Sequence, residues 1–93
     1  AQLNTPIGVT TTPSGGVLIA DNRNFVIRHI HPDGTIETVV GTGAYEITEG
    51  IADRLDFNLV GPSGMSWTEK GDLLIAEQFG HRILRVKNLA DAL

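Results

Sequence analysis

The chain contains one short module twice, and this internal repeat limits the folds that it can adopt. Residues 3–30 align without a gap to residues 59–86 at a constant offset of 56 positions. The same residue occurs in both copies at Leu3/Leu59, Pro6/Pro62, Gly8/Gly64, Thr12/Thr68, Gly15/Gly71, Leu18/Leu74, Ile19/Ile75, Ala20/Ala76 and Ile27/Ile83. These identities fall on turn residues and apolar runs, which a repeated structural unit must preserve. The sequence therefore predicts two copies of one supersecondary unit.

The first copy reads as four short strands separated by turns. The predicted strands are residues 9–12, 17–20, 25–31 and 35–40, which are rich in β-branched and apolar residues. The turns between them contain Pro13-Ser14-Gly15-Gly16, a polar segment at 21–24, and Pro32-Asp33-Gly34. Short strands joined by tight turns predict an antiparallel meander.

The second copy repeats three of these strands, at 65–68, 73–76 and 81–86 or 81–87. Residues 88–93 contain no β-branched residue, so we expect a three-stranded or incomplete unit that ends in a frayed or helical tail. The predicted organisation is all-β, with a first unit at 1–43, a connector at 44–58 and a second unit at 59–93. The connector's apolar residues could hold it against the module beneath, and residues 51–56 could form a helical turn. Those apolar residues are Tyr45, Ile47, Ile51, Leu55 and Phe57.

Composition excludes several classes of function. The net charge of −4 argues against a nucleic-acid or anionic-membrane partner, each of which favours a basic surface. The chain has no cysteine, which excludes disulfides and thiolate metal sites. It also has no apolar run long enough to cross a bilayer.

The repeated segments resemble the NHL repeat. In the first copy the resemblance is carried by Pro6-x-Gly8-Val9, Leu18-Ile19-Ala20-Asp21, Ile27-Arg28, Asp33-Gly34-Thr35-Ile36 and Thr38-Val39-Val40-Gly41-Thr42-Gly43. In the second copy it is carried by Pro62-Ser63-Gly64-Met65, Leu74-Ile75-Ala76-Glu77 and His81-Arg82-Ile83. The family commonly has Asp after the second strand, so Asp21 fits its pattern and Glu77 departs from it.

The resemblance implies that each copy is one blade of a β-propeller, in which six blades are usual. Two blades cannot close a ring, and unclosed blades expose apolar faces that favour association. We therefore expect either self-assembly of three copies into six blades or a place within a longer chain. The expected function is a scaffold that binds a protein or small ligand. The alternative is a fragment or subunit of a six-bladed hydrolase or lyase with a metal in the central channel.

His29 and His31 are the first candidate for chemistry. They lie two positions apart on a predicted strand, so both side chains project from one face and could share a metal ion. A metal site needs at least a third ligand, and the sequence does not identify one. A polar stripe near the end of an outer strand is the competing interpretation, and no metal ligand is predicted.

The carboxylates form two further groups. Glu46, Glu49, Asp53 and Asp56 do not have the alternate spacing of a compact calcium loop, which favours a solvated acidic connector. Asp21 and Glu77 could be acid–base groups or ligands near a channel mouth. Alternatively, each could accept backbone N–H bonds from the turn that follows it. Their repetition favours the structural role.

The remaining candidates also have structural interpretations. Trp67 could anchor a partner, although packing between blades is favoured because its counterpart Thr11 lies in the same strand. Arg82 and Arg85 are predicted on the strand surface. No nucleophile elbow is predicted, because Ser14, Ser63 and Ser66 do not lie in a Gly-x-Ser-x-Gly sequence. No phosphate-binding loop is predicted either, because the Gly-Thr-Gly segment at 41–43 follows a strand and does not lead into a helix. The sequence thus predicts no catalytic, cofactor-binding or metal-binding residue, and it favours a non-enzymatic role.

Overall fold

A computed structural model of the chain describes residues 3–44, 50 and 52–93. The strands in these ranges are β1 (Pro6–Thr11), β2 (Val17–Asp21), β3 (Val26–Ile30), β4 (Ile36–Val40), β5 (Pro62–Trp67), β6 (Leu73–Glu77) and β7 (Arg82–Val86). A 3₁₀ helix covers Asn22–Asn24, and a four-residue α-helix, α1, covers Leu89–Ala92. In this part of the chain no helix is long and apolar enough to cross a membrane.

The strands form two antiparallel meanders, which confirms the predicted all-β class. Blade 1 has the order β1-β2-β3-β4, and blade 2 has the order β5-β6-β7. After β7 the chain turns back towards the β5–β6 turn. The N–H of Ala90 donates to the carbonyl of Gly71 at 3.0 Å, and the N–H of Asn88 donates to Asp72 Oδ1 at 2.8 Å. The helical alternative for the tail is therefore correct, and blade 2 has three strands.

The first hairpin turn is the same in both blades, down to its hydrogen bonds. In blade 1 the Thr12 hydroxyl accepts the N–H of Gly16 at 2.9 Å, and in blade 2 the Thr68 hydroxyl accepts the N–H of Asp72 at 3.1 Å. Both turns place glycine at a left-handed position, with φ of 91° at Gly15 and 86° at Gly71. The threonine and the glycine of this turn are thus the same in both copies because the turn itself needs them.

The hydrophobic core lies between the two blades. Its buried residues come from both sheets and the segments that follow them, and they are Leu18, Ala20, Ile27, Val39, Val40, Leu59, Leu73, Ile75 and Leu89. Cross-strand register places Leu18 and His29 on the face of blade 1 that also carries Ala20 and Ile27. Each blade therefore buries one sheet face against its neighbour, as propeller blades do.

The inner strands β1 and β5 approach each other at backbone distance. A Cβ atom on Gly8 would collide with the carbonyl oxygen of Ser63, so this position of β1 has to be glycine. Hydrogen bonds extend the contact, because Asn22 Nδ2 donates to the carbonyl of Pro62 at 3.1 Å and to Gln78 Oε1 at 3.2 Å. Asn22 and Gln78 are repeat equivalents, so the blades contact each other through matching positions.

The predicted starts of the first strand in each blade were wrong. β1 and β5 begin at Pro6 and Pro62, three residues earlier than expected. Each strand continues through a register shift, so that Pro6 pairs with Asp21 and Pro62 pairs with Glu77. Within the described part of the connector, the Asp56 N–H donates to the Asp53 carbonyl at 2.9 Å, which is one hydrogen-bonded turn inside the predicted range 51–56. Phe57 packs against the core as predicted, whereas Leu55 is exposed. Tyr45, Ile47 and Ile51 lie outside the described residues.

The contact at Gly8 gives a matched pair of substitutions. We expect Gly8→Ala to destabilise the chain by about 1–3 kcal/mol, because the added methyl group forces β1 away from β5. The repeat equivalent Gly64 has room, since its added Cβ would meet Ala76 Cβ at 3.6 Å. Gly64→Ala should therefore change the free energy of unfolding by less than about 0.5 kcal/mol. Urea unfolding of the dilute chain, followed by Trp67 fluorescence, measures both, and equal losses would contradict the close approach.

Candidate functional site: buried carboxylates and unpaired blade surfaces

Asp21 and Glu77 are buried at equivalent places at the ends of β2 and β6. Asp21 Oδ1 accepts the N–H of Asn4 at 2.7 Å, and Glu77 Oε2 accepts the N–H of Val60 at 3.0 Å. The turn that follows Asp21 reaches its carboxylate through the Asn24 side chain, whose Nδ2 donates to Oδ2 at 2.8 Å. The two backbone donors belong instead to the segment that enters each blade. Antiparallel pairing of Pro6 with Asp21 brings that segment to the carboxylate. Each carboxylate closes its own blade, which is a structural role.

Each buried carboxylate is also paired with an arginine, but from a different strand position. Arg28 Nε lies 3.2 Å from Asp21 Oδ2, and Arg82 Nε lies 2.6 Å from Glu77 Oε1. The prediction of a surface position is correct for Arg85 and wrong for Arg82, whose guanidinium also stacks 5.2 Å from the centroid of the Phe57 ring. Because these carboxylates are already bonded to the protein, they are not placed to act on a ligand.

The other predicted candidates are dispersed. Glu46 and Glu49 lie outside the described residues, and Asp53 and Asp56 are exposed. Trp67 packs between the blades as favoured, since its side chain contacts the core and its Nε1 donates to the carbonyl of Thr11 at 2.7 Å. Ser63 Oγ donates to the carbonyl of Ala76 at 3.0 Å. These polar groups therefore serve the blades themselves.

His29 and His31 do lie together, with ring centroids 4.1 Å apart. The structure adds Glu37, which pairs with His29 across β3 and β4. The turn between the two strands is fixed by Asp33, whose carboxylate accepts the N–H of Thr35 at 2.9 Å and its hydroxyl at 2.7 Å. The pKa of Asp33 is lowered, most by the hydrogen bond from the Thr35 N–H and next by that from the Thr35 hydroxyl. The ionised carboxylate therefore stabilises the turn above the carboxyl's unfolded pKa, and this stabilisation is lost as the pH falls through the lowered pKa.

Each blade has a second sheet face that lacks a neighbouring blade within the described chain. On blade 1 this face carries Val9, which is 69% exposed, and its cross-strand partner Ile19. On blade 2 it carries Ala76 and Ile83, which is 67% exposed. Large exposed apolar side chains on flat sheet faces are typical of interaction surfaces.

A groove of about 820 Å³ runs along β7, the outer edge strand of blade 2. Leu84 and Val86 line one side, and residues 52–57 of the connector line the other. Val40, Leu59 and Ile75 provide an apolar lining, whereas Asp53, Arg54 and Lys87 contribute charge. An edge strand beside an apolar groove can accept an extended segment as an added strand.

Comparison with known proteins supports the fold and adds no activity. No family model and no curated protein matches the chain. One similar solved structure is a protein from Bacteroides thetaiotaomicron that is provisionally described as a phosphatase. It has 22% identity and a TM-score of 0.78, and the match covers 92% of this chain and 22% of that one. A second, of unknown function and from the same organism, has 24% identity and a TM-score of 0.72 over 91% of this chain and 22% of that one. This chain thus spans about a fifth of the length of either, and the likeness concerns the fold alone.

The structural role of Glu77 can be tested directly. We expect Glu77→Gln to destabilise the chain by about 3 kcal/mol, because it leaves the guanidinium of Arg82 half-buried without its charge partner. Asp21→Asn should have a similar effect through Arg28. The exposed Glu69→Gln is the control and should have little effect. Chemical denaturation measures all three, and a Glu77→Gln variant as stable as the control would refute the structural assignment.

Proposed function

We propose that the chain is an NHL-type β-propeller module that acts as a rigid binding scaffold and whose ring is completed by further blades. These blades come from other copies of the chain or from a longer chain of which this is a part. The observation that carries the proposal is the presence of two unpaired sheet faces that are complementary through the repeat. Each of them corresponds to a face that is buried in the contact between blades 1 and 2.

The correspondence follows from the offset of 56 residues. In blade 2 the face buried against blade 1 contains Met65 and Ile75, and their equivalents in blade 1 are the unpaired Val9 and Ile19. In blade 1 the buried face contains Leu18, Ala20 and Ile27. Its equivalents in blade 2 form the unpaired face and are Leu74, Ala76 and Ile83. A second copy could therefore place its blade 1 on blade 2 by repeating a contact that the chain already makes.

Gly64 supports this arrangement. In blade 1, Gly8 admits the carbonyl of Ser63 from the next blade, and Gly64 is the equivalent residue with open space beside it. The neighbouring copy would bring the carbonyl of Ile7, the equivalent of Ser63, to this position. One feature of the internal contact would be missing, because Thr11 occupies the place of Trp67 and cannot supply the indole hydrogen bond. Contacts between copies would thus rely on apolar burial and on the close backbone approach.

The inner strands favour a scaffold over the enzyme alternative. β1 reads PIGVTT and β5 reads PSGMSW, and neither contains a carboxylate or an imidazole. A metal held in a central channel would obtain no such ligand from these two strands, which lie nearest the ring axis in a propeller. The groove beside β7 offers a scaffold a place for an extended segment, and such a segment would supply the strand that blade 2 lacks.

The solution mass tests completion by self-assembly. One chain has a mass of 10.0 kDa, and we expect light scattering to give the mass of three chains for the wild type. Gly64→Ala should shift the mass to that of one chain, because its methyl group occupies the space needed by the neighbouring carbonyl. Ile83→Lys should act in the same way by placing a charge on the unpaired face.

The control is Glu69→Ala, which alters an exposed turn and should leave the mass of three chains unchanged. A well-folded wild-type monomer would contradict self-assembly, and completion would then require blades from the same longer chain. A trimer that persists in Gly64→Ala would contradict the proposed face.

A further inference from the structure

The side chains of His29, His31 and Glu37 converge beside the turn between β3 and β4, at the outer edge of blade 1. His29 lies in β3 directly opposite Glu37 in β4, and His31 follows β3 by one residue. One potential ligand atom from each residue lies within 4.8 Å of the other two. We propose that these residues bind one first-row transition-metal dication, with Zn²⁺ as the first candidate.

The distances are close to those of an occupied site. His31 Nε2 lies 2.7 Å from Glu37 Oε1, and His29 Nδ1 lies 3.7 Å from the same oxygen. Zinc bonds of about 2.1 Å at tetrahedral angles place their donor atoms about 3.4 Å apart. The two imidazole ligand atoms lie within 4.8 Å of each other, so side-chain rotations could bring all three atoms to one ion. Two imidazoles and a carboxylate are a donor set that suits zinc and its neighbours in the first transition row.

The state of His29 is the independent sign of a ligand. Its side chain is 1% exposed, and within the described part of the chain neither ring nitrogen has a hydrogen-bond partner. Buried polar atoms are nearly always bonded, since an unsatisfied group loses its hydration without compensation. Nε2 lies against Gly16, where an added Cβ would be 2.5 Å away, and Nδ1 lies nearer the carboxylate of Glu37. A bound ion would satisfy Nδ1.

The repeat shows that the blade fold does not require these residues. Arg85 and Lys87 occupy the positions of His29 and His31, and among the described residues blade 2 has no fourth strand to carry an equivalent of Glu37. At the corresponding place blade 2 has a loose ion pair, with Arg85 Nε 3.9 Å from Asp72 Oδ2. Turn residues and buried carboxylates recur in both blades, whereas this cluster occurs once.

Solvent can reach the site from one side. The side chains of His31 and Glu37 are 35% and 54% exposed, so an ion could enter from solvent and water could supply a fourth ligand. A metal there would tie β3 to β4 across the hairpin. All three ligands belong to blade 1, so the site is independent of ring closure and lies away from the inner strands of a propeller.

Calorimetric titration with Zn²⁺ tests the proposal on chain that carries no histidine tag. We expect one ion per chain, and each of His31→Gln and Glu37→Gln should weaken binding at least about tenfold. Both residues are partly exposed, so these variants should fold. Zinc should also raise the melting temperature of the wild type and not that of the variants. Visible absorption of the Co²⁺ form gives a separate readout of the coordination geometry.

Two further variants complete the test. His81→Asn removes the remaining histidine, which lies outside the cluster and adopts a positive φ that asparagine tolerates. It should bind zinc as the wild type does. His29→Leu should abolish binding while the chain stays folded, because it removes the unbonded buried nitrogens. The proposal is overturned if no saturable binding occurs up to about 100 μM Zn²⁺, a range that includes weak sites. It is also overturned if the His31, Glu37 or His29 variants bind as tightly as the wild type.

Discussion

Each sheet in this chain has two largely apolar faces and, within the described residues, one neighbouring sheet. This constraint governs the rest of the structure. Blade 1 and blade 2 each bury one face in a shared core, and the inner strands approach so closely that Gly8 cannot carry a side chain. The other face of each sheet has no neighbouring sheet among the described residues. These unpaired faces explain why large apolar side chains such as Val9 and Ile83 are exposed.

Comparison of the two blades distinguishes the features that the blade fold requires from those that it does not. Turn hydroxyls, left-handed residues and buried carboxylates recur with the same hydrogen bonds at an offset of 56 residues. The cluster at His29 and the indole of Trp67 occur once each. A repeated feature is explained by the blade itself, whereas an unrepeated one requires a different explanation. For Trp67 that explanation is the contact with Thr11 across the blades, and for the cluster we propose a metal ion.

Much of the architecture could be predicted from the sequence, because turn residues and apolar runs carry local information. Gly15 and Gly71 mark left-handed turns, and the alternation in residues 35–40 predicts a strand whatever its neighbours are. Long-range partners were less accessible. The backbone N–H of Asn4 that donates to Asp21 lies 17 residues earlier in the chain, and Glu37 becomes a neighbour of His29 once β3 and β4 pair in register. The register of that hairpin would have identified Glu37, because residues opposite each other across a tight turn can be counted from its tip.

Both blades neutralise a buried carboxylate with an arginine, but the acidic side chains differ in length and the arginines lie at different strand positions. In blade 1 the shorter Asp21 is reached by Arg28, and in blade 2 the longer Glu77 is reached by Arg82, from an equivalent position that holds Val26 in blade 1. Exchange of one member between blades would leave a buried charge out of reach of its partner. The acidic residue and the site of its arginine must therefore change together, and a repeat of this kind can diverge in paired steps without losing the closure of its entry segment. Substitution of both members of a pair is therefore tolerated where substitution of one member is not.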